Sequence, residues 1–279
     1  MRDWQGKTAM VTGAAGGLGR HLARQIGRAG LRLMLHDLPG TGLEVVCAEL
    51  SREGCQVSFR EGDIGEAAER RGLVGAAWDR WGEVEVLVNN AGVEFTGRYH
   101  ELTEARIREA IAVNLEAPMA LTRLLLPRMV ERGQGHIVNL SSLAGKSGPA
   151  FQEPYAATKA ALTAFTMSLR ASYRGTGVSA SVICPGFVEA GIYLRLKARS
   201  GAKAPRLLTG CPPERVAQAV VRSLRRDLAE VIVNRYPLRP VLALATLSPG
   251  LGAWLTRWLG VNEFFGRVVE AERRRTPSA

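Results

Sequence analysis

A chain of 279 residues, 46% hydrophobic and 23% charged, can bury a sizeable core, and this length is usual for a single α/β domain. Its four cysteines, Cys47, Cys55, Cys184 and Cys211, show neither C-x-x-C nor His-paired spacing, so a disulfide scaffold or a metal site is not expected. The formal net charge of +11 is uneven: up to Leu194 there are 21 Lys+Arg against 20 Asp+Glu, but from Arg195 onward 16 against 6.

In chain order, Met1–Lys7 lacks the apolar centre of a signal peptide, which together with the unpaired thiols points to a reducing cytoplasm. Thr8–Thr12 is a short β-branched, apolar run that reads as a buried strand. It enters Gly13-Ala-Ala-Gly-Gly17-Leu-Gly19, and an amphipathic helix follows over Leu22–Ala29. A glycine turn between strand and helix puts backbone N–H groups where a pyrophosphate would bind, although the spacing departs from G-x-G-x-x-G. The next run, Leu31–His36, ends at Asp37, eighteen residues beyond Gly19. A carboxylate there accepts hydrogen bonds from ribose hydroxyls and repels a 2′-phosphate; Leu38-Pro39-Gly40 follows without an arginine, so NAD is favoured over NADP. His36 reads as a surface or packing residue.

Further strands are expected at Gln56–Arg60, Val84–Asn89, His136–Leu140, Val178–Cys184 and Val231–Asn234. Helical stretches separate all seven, which implies an α/β fold with a doubly wound parallel sheet, covered on both faces. A ligand site then belongs at the C-terminal strand ends. Gly13, Asp37, Asn89, Ser142 and Pro185 all fall there.

The chemistry concentrates in Tyr155-Ala-Ala-Thr-Lys159. Residues i and i+4 share one helix face, so an ammonium group lies beside a phenol and should lower its pKa toward working pH, as a general acid/base requires. Ser142 lies thirteen residues upstream, with Asn114 further back. Strand alternation sends Ser141 and Ser142 to opposite faces.

Together Thr12-Gly13-Ala-Ala-Gly-Gly17-Leu-Gly19, Asp63-Ile64, Asn89-Asn90-Ala91-Gly92, Asn114, Ser141-Ser142, Tyr155-x-x-x-Lys159 and Pro185-Gly186 make the chain resemble a short-chain dehydrogenase/reductase over about residues 5 to 235. The resemblance implies a Rossmann-like sheet and catalytic roles for Asn114, Ser142, Tyr155 and Lys159. It implies nicotinamide-cofactor contacts at Gly13, Gly17, Leu18, Gly19, Asp37, Asp63, Ile64, Asn89, Ala91, Gly92, Tyr155, Lys159, Pro185, Gly186 and Val188. Within it Asp63 would bond the adenine amino group, Ser142 would hold the substrate oxygen, Lys159 would also grip the nicotinamide ribose, and Asn114 would position a relay water. The spacing to Tyr155 selects Ser142 over Ser141. One position departs: where many members carry a Thr that contacts the carboxamide, this chain has Ala190, leaving a backbone group or Tyr193 to replace it. A homo-oligomer is expected.

The segment Phe187–Pro213 mixes Ile192, Tyr193, Leu194, Leu196, Leu207 and Leu208 with Arg195, Lys197, Arg199, Lys203 and Arg206. An apolar wall with a basic rim suits a lipid, steroid or acyl chain. Residues 1–235 read as the cofactor-binding and catalytic domain, and 236–279 as a helical C-terminal extension. Its apolar runs are broken by Pro249-Gly250 and bounded by Arg239 and Arg257, so two short helices are expected rather than a membrane span. Trp254, Trp258 and the arginines stand where interfacial anchors would, and packing over the cleft or a partner subunit is the alternative. The basic third suits an anionic surface, a lipid headgroup or a phosphate-bearing substrate, or is an Arg-rich solvated face. Nucleic acid is disfavoured, since no binding module is present. The leading function is NAD-dependent interconversion of a secondary alcohol and a ketone on an apolar substrate. Alternatives are an NADPH-dependent reductase of acyl-carrier-protein or CoA thioesters, and an idle dinucleotide-sensing or membrane-scaffold protein.

Overall fold

The structure is a computed structural model and describes residues 3–205, 207, 208 and 210–275; Arg206 of the expected basic rim therefore lies outside the described residues. Seven strands, β1 (Thr8–Thr12), β2 (Arg32–Asp37), β3 (Val57–Glu61), β4 (Val86–Asn89), β5 (Gly135–Leu140), β6 (Val178–Pro185) and β7 (Glu230–Val233), build one parallel sheet. Its order is β3-β2-β1-β4-β5-β6-β7. Each expected strand is present to within two residues at either end.

Helices α1 (Gly19–Arg28), α2 (Leu43–Arg52), α3 (Ala67–Trp81), α4 (Glu104–Ile111), α5 (Ala117–Glu131), α6 (Ala144–Ser147), α7 (Glu153–Ser172), α8 (Gly191–Ser200) and α9 (Pro213–Arg226) connect and cover the strands. Period-two alternation divides the core between them. Val11, Leu35, Val88 and Val138 point to one side, where Leu22 and Ile26 of α1, Val46 and Leu50 of α2 and Val220 of α9 close over them. Met10, Met34, Leu87 and Ile137 point to the other, against Leu73 of α3 and Leu121, Leu125 and Met129 of α5. Strands that are apolar on both sides follow from burial under two helical layers.

The order reverses between β1 and β4, which pair although two strands intervene in the chain. Neighbouring connections leave to opposite sides at such a switch point, and a crevice opens at the C-terminal strand ends. After β7 come α10 (Arg239–Leu247) and α11 (Pro249–Trp258), the two short helices expected, and then α12 (Val261–Arg275), which the sequence reading did not separate. Phe264, Phe265 and Val268 of α12 pack with Tyr193 and Leu196 of α8 in a third apolar cluster. Among the described residues no helix is long and apolar enough to cross a membrane.

Candidate active site

A cavity of about 700 Å³ occupies the crevice, running from the glycine turn and Asp37 past Tyr155 to Phe187, Val261 and Phe265. The turn has its shape because two glycines permit it. Gly13 adopts φ +65, and a Cβ on Gly19 would stand 1.9 Å from the Gly13 carbonyl oxygen, so helix α1 could not begin this close to β1 with any larger residue. No side chain caps α1, and no acidic residue lies in its first turn. Arg20, His21 and Leu22 donate to the Gly16 and Leu18 carbonyls, so the anion seat at the cavity wall falls to the N–H groups of the turn at Gly17, Leu18 and Gly19.

Asp37 closes the far side of the turn. Its Oδ2 accepts from the Ala15 N–H and its Oδ1 from the Leu38 N–H, both at 2.8 Å, leaving further lone pairs on each oxygen. Asp63 and Ile64 line the same end of the cavity. Their loop is held by Arg70, a buried cation that donates to the Ile64 and Gly65 carbonyls at 3.0 and 2.7 Å and pairs with Glu116 at 2.7 Å. Sequence reasoning passed over Arg70, because a lone arginine on a helix reads as solvated.

Gly13, Gly17, Leu18, Gly19, Asp37, Asp63, Ile64, Ala91, Gly92, Ser142, Tyr155, Lys159, Pro185, Gly186 and Val188 all line this one cavity. Asn89 does not. It is buried in the sheet and donates to Asn139 Oδ1 at 2.7 Å, while Asn90 reaches the wall and donates to the Thr12 and Gly13 carbonyls. Alternation after β4 explains the exchange. Asn114 stands one layer behind the wall, on a π-helical turn over Ala112–Glu116. Its Oδ1 accepts from the Val93 N–H at 2.9 Å, and its Nδ2 donates to the Val93 carbonyl and to Thr158 Oγ1.

Helix α7 carries Tyr155 and Lys159 on its cavity side. The Ser142 hydroxyl lines the cavity with the Tyr155 phenol and favours its ionised form, and its Oγ accepts from the Ala144 N–H at 3.1 Å. Ser141 is turned away, with its Oγ donating to the Lys159 carbonyl and meeting Thr163. The electrostatics correct one expectation. Burial pushes the Tyr155 phenol up to about 12, the Ser142 hydroxyl only partly offsets this, and Glu94 raises it further. Lys159 does not cancel that rise: its Nζ lies 5.6 Å from the ring centroid and donates to the Leu140 carbonyl at 2.8 Å, and burial brings the ammonium itself down to about 8. Desolvation thus outweighs the mutual attraction of the pair.

That Lys159 shift has a thermodynamic consequence. Between about pH 8 and the ordinary 10.5 the unfolded chain binds this proton and the native state does not, so stability from this group rises with pH across that window. Below pH 8 the full penalty of the buried charge is present. The unfolding free energy of Lys159→Met, relative to the parent, should therefore fall by about 3 kcal/mol between pH 7.5 and 10.5. Urea titrations at both values measure it, and a pH-independent difference would dismiss the buried-charge account.

At the opposite end from the glycine turn, Gln152 is buried at 1% exposure and donates to Glu94 Oε1 and Thr96 Oγ1, both at 2.6 Å. Thr96 also bonds the Glu94 carboxyl. Burial holds that carboxyl above the usual carboxylate range. Phe151, in the left-handed region at φ 65, turns the chain between this cluster and α7. Apolar walls come from Phe187, Ile192, Leu196, Leu208, Val261 and Phe265. Ala190 lines the cavity beside Gly17 but brings no hydroxyl. Tyr193 also lines it, yet its hydroxyl accepts from the Ala204 N–H at 3.3 Å and its ring packs 5.4 Å from that of Phe187. No groups of three or more His, Cys, Asp or Glu able to hold a metal occur among the described residues, and all four cysteines are free.

The family model for short chain dehydrogenases matches residues 7–199. A ketoacyl reductase of Nostoc is 38% identical over 275 residues, covering 97% of this chain and 95% of that protein. Among solved structures, a variant of actinorhodin polyketide ketoreductase with NADPH superposes with a TM-score of 0.77 at 29% identity, covering 82% of this chain and 96% of that one. A Burkholderia phymatum short chain dehydrogenase/reductase in complex with NAD gives 0.80 at 26% identity, covering 90% and 96%.

Proposed function

The chain belongs to the short-chain dehydrogenase family and is an NAD(P)-dependent oxidoreductase; from that premise we propose that it prefers NAD(H) and interconverts a secondary alcohol and a ketone on an apolar, acyl-like substrate. The observation that carries the reading is the continuity of one cavity from a glycine turn to an apolar pocket, with Ser142 and Tyr155 between them. The residues present fit a dinucleotide: a Cβ on Gly17 would stand 2.5 Å from the Gly191 nitrogen and on Gly19 would fill the turn itself, the N-terminus of α1 is uncapped, and Asp37 keeps lone pairs at the cavity wall that could accept from ribose hydroxyls. The bound nicotinamide supplies or accepts the hydride.

The chain's own groups handle the proton. A phenol held near 12 is protonated throughout the neutral range, so Tyr155 is ready to donate to a ketone oxygen as charge develops there. Ser142, which lines the same cavity and favours the ionised phenol, can donate to the same oxygen. Lys159, mostly charged below pH 8, stabilises the phenolate left behind across about one ring width. Asn114, fixed through Val93 and Thr158, stands behind Gly92 close to the ammonium side of this set, where it can orient the solvent that reprotonates it.

The apolar character of Phe187, Ile192, Leu196, Val261 and Phe265 supports a lipid-like or acyl-like substrate, and the buried Glu94–Gln152 pair offers one polar contact on the same cavity wall. A second reading, an NADPH-dependent reductase of β-keto thioesters, draws support from the ketoacyl reductase that matches almost the full chain and from Arg195 at the cavity. One experiment separates them: absorbance of the reduced nicotinamide followed over a panel of secondary alcohols, long-chain ketones and β-keto thioesters, with both cofactors. Faster turnover of long-chain ketones with NADH is the expected result. Turnover confined to β-keto thioesters with NADPH would replace the first reading by the second.

A further inference from the structure

The C-terminal extension does two different things. Helix α12 faces inward and contributes Val261 and Phe265 to the cavity wall. The α10–α11 hairpin instead leaves its apolar side uncovered. Leu247 is 77% exposed, Trp254 56% and Trp258 64%, and Leu244 and Leu251 stand exposed beside them. On α11, positions 251, 254, 257 and 258 fall within about one third of the helix circumference, so Leu251, both indoles and the exposed Arg257 share one face. The indoles stack at 6.2 Å, forming a flat apolar ridge rather than a pocket filler.

We propose that this ridge seats the protein on an anionic lipid bilayer, with the hairpin lying in the headgroup layer. Charge decides between the occupants such a face could take. From Arg235 to Asn262 the chain has three arginines and no aspartate, glutamate or lysine; Arg239 is paired with Glu230 at 3.8 Å, which leaves Arg257 on the ridge and the exposed Arg235 as its uncompensated charges. A second copy docking through a two-fold contact would set that same cationic patch against itself, whereas anionic headgroups complement it. Indole rings beside arginine are the side chains that favour the boundary between headgroups and acyl chains. Pro249-Gly250 divides the hairpin, and neither helix is long enough to span, so the contact is peripheral. The hairpin also touches α6 and α12, whose Ala144, Ser147, Val261 and Phe265 wall the substrate end of the cavity. A bilayer on the ridge therefore lies beside the end that takes an apolar substrate, a placement that rests on the reading of function above; the seat itself does not.

The test is co-sedimentation of the full chain with vesicles of phosphatidylcholine alone and of an equal mixture with phosphatidylglycerol, at low and high salt, without any turnover assay. The intact protein should pellet with the mixed vesicles, less with neutral ones, and less again as salt screens the arginines. Trp254→Ser combined with Trp258→Ser should lower partition at least ~10-fold on mixed vesicles. Arg257→Glu should weaken the anionic preference by ~5-fold or more while sparing neutral binding. Unchanged melting by circular dichroism shows that both variants fold. Equal partition of the intact and double-Trp proteins overturns the proposal, as does failure of the intact protein to bind mixed vesicles at low salt. A lipid-free oligomer lost in the double-Trp variant also overturns it, and gives the ridge to a second copy.

Discussion

Tyr155→Phe should lower turnover by roughly 10²–10⁴-fold while leaving the dissociation constant of the nicotinamide cofactor nearly unchanged. Phenylalanine keeps the ring on the cavity side of α7 and removes only the hydroxyl, the group that carries the proton. What is lost is therefore proton transfer and not grip. The geometry sharpens the contrast with Lys159, whose Nζ donates to the Leu140 carbonyl and sits behind the ring instead of bonding to its oxygen. Lys159→Met should damage both cofactor affinity and turnover, because one charge serves the phenolate and the cofactor end of the cavity. Steady-state rates with a responsive ketone, alongside a fluorescence titration of the reduced cofactor, separate the two variants. A Tyr155→Phe enzyme with most of its activity would falsify the proton-transfer role.

Local chemistry was legible in the sequence; chemistry assembled across the fold was not. The strands could be placed because burial on both faces makes each of them an uninterrupted apolar run between turn signals. Strand alternation put only one of Ser141 and Ser142 toward the site, the spacing to Tyr155 implied by the family resemblance chose Ser142, and the structure sends the Ser141 hydroxyl inward to Thr163. The same rule, applied to Asn89 and Asn90, would have put only one of them on the cavity wall. Glu94 and Gln152 were invisible, since they are 58 residues apart and become neighbours only when the loop after β4 meets the start of α7. Arg70 was invisible for a similar reason: its value lies in a loop and a π-turn that no helical periodicity connects. The Tyr155–Lys159 electrostatics failed for a different cause. Spacing reports proximity, but the sign of a pKa shift depends on desolvation, and both groups are more deeply enclosed than an i, i+4 pair on a helix surface.

Cofactor choice is expected to turn on Asp37. A carboxylate within about 4 Å of a 2′-phosphate costs about 1 kcal/mol per pair of unit charges at the dielectric of water and about 4 kcal/mol at that of a protein surface. NAD should therefore bind at least ~10-fold more tightly than NADP. Arg20 works in the opposite sense: it follows the glycine turn, and its Nη2 lies 3.4 Å from the Ala15 carbonyl. Arg20→Ala should accordingly widen the preference for NAD. Asp37→Ala with Leu38→Arg should reverse it, since the carboxylate is gone and the exposed position 38 beside it then carries a cation. That double variant also strips the Ala15 N–H of its acceptor, so the turn loosens and affinity for NAD falls in absolute terms. The ratio of the two dissociation constants, measured by titration on the same preparation, removes that shared loss and isolates the charge term. Equal or tighter binding of NADP by the unaltered chain would mean that Asp37 is committed to Ala15 and Leu38 alone, and that the anion seat at the glycine turn together with Arg20 sets the preference.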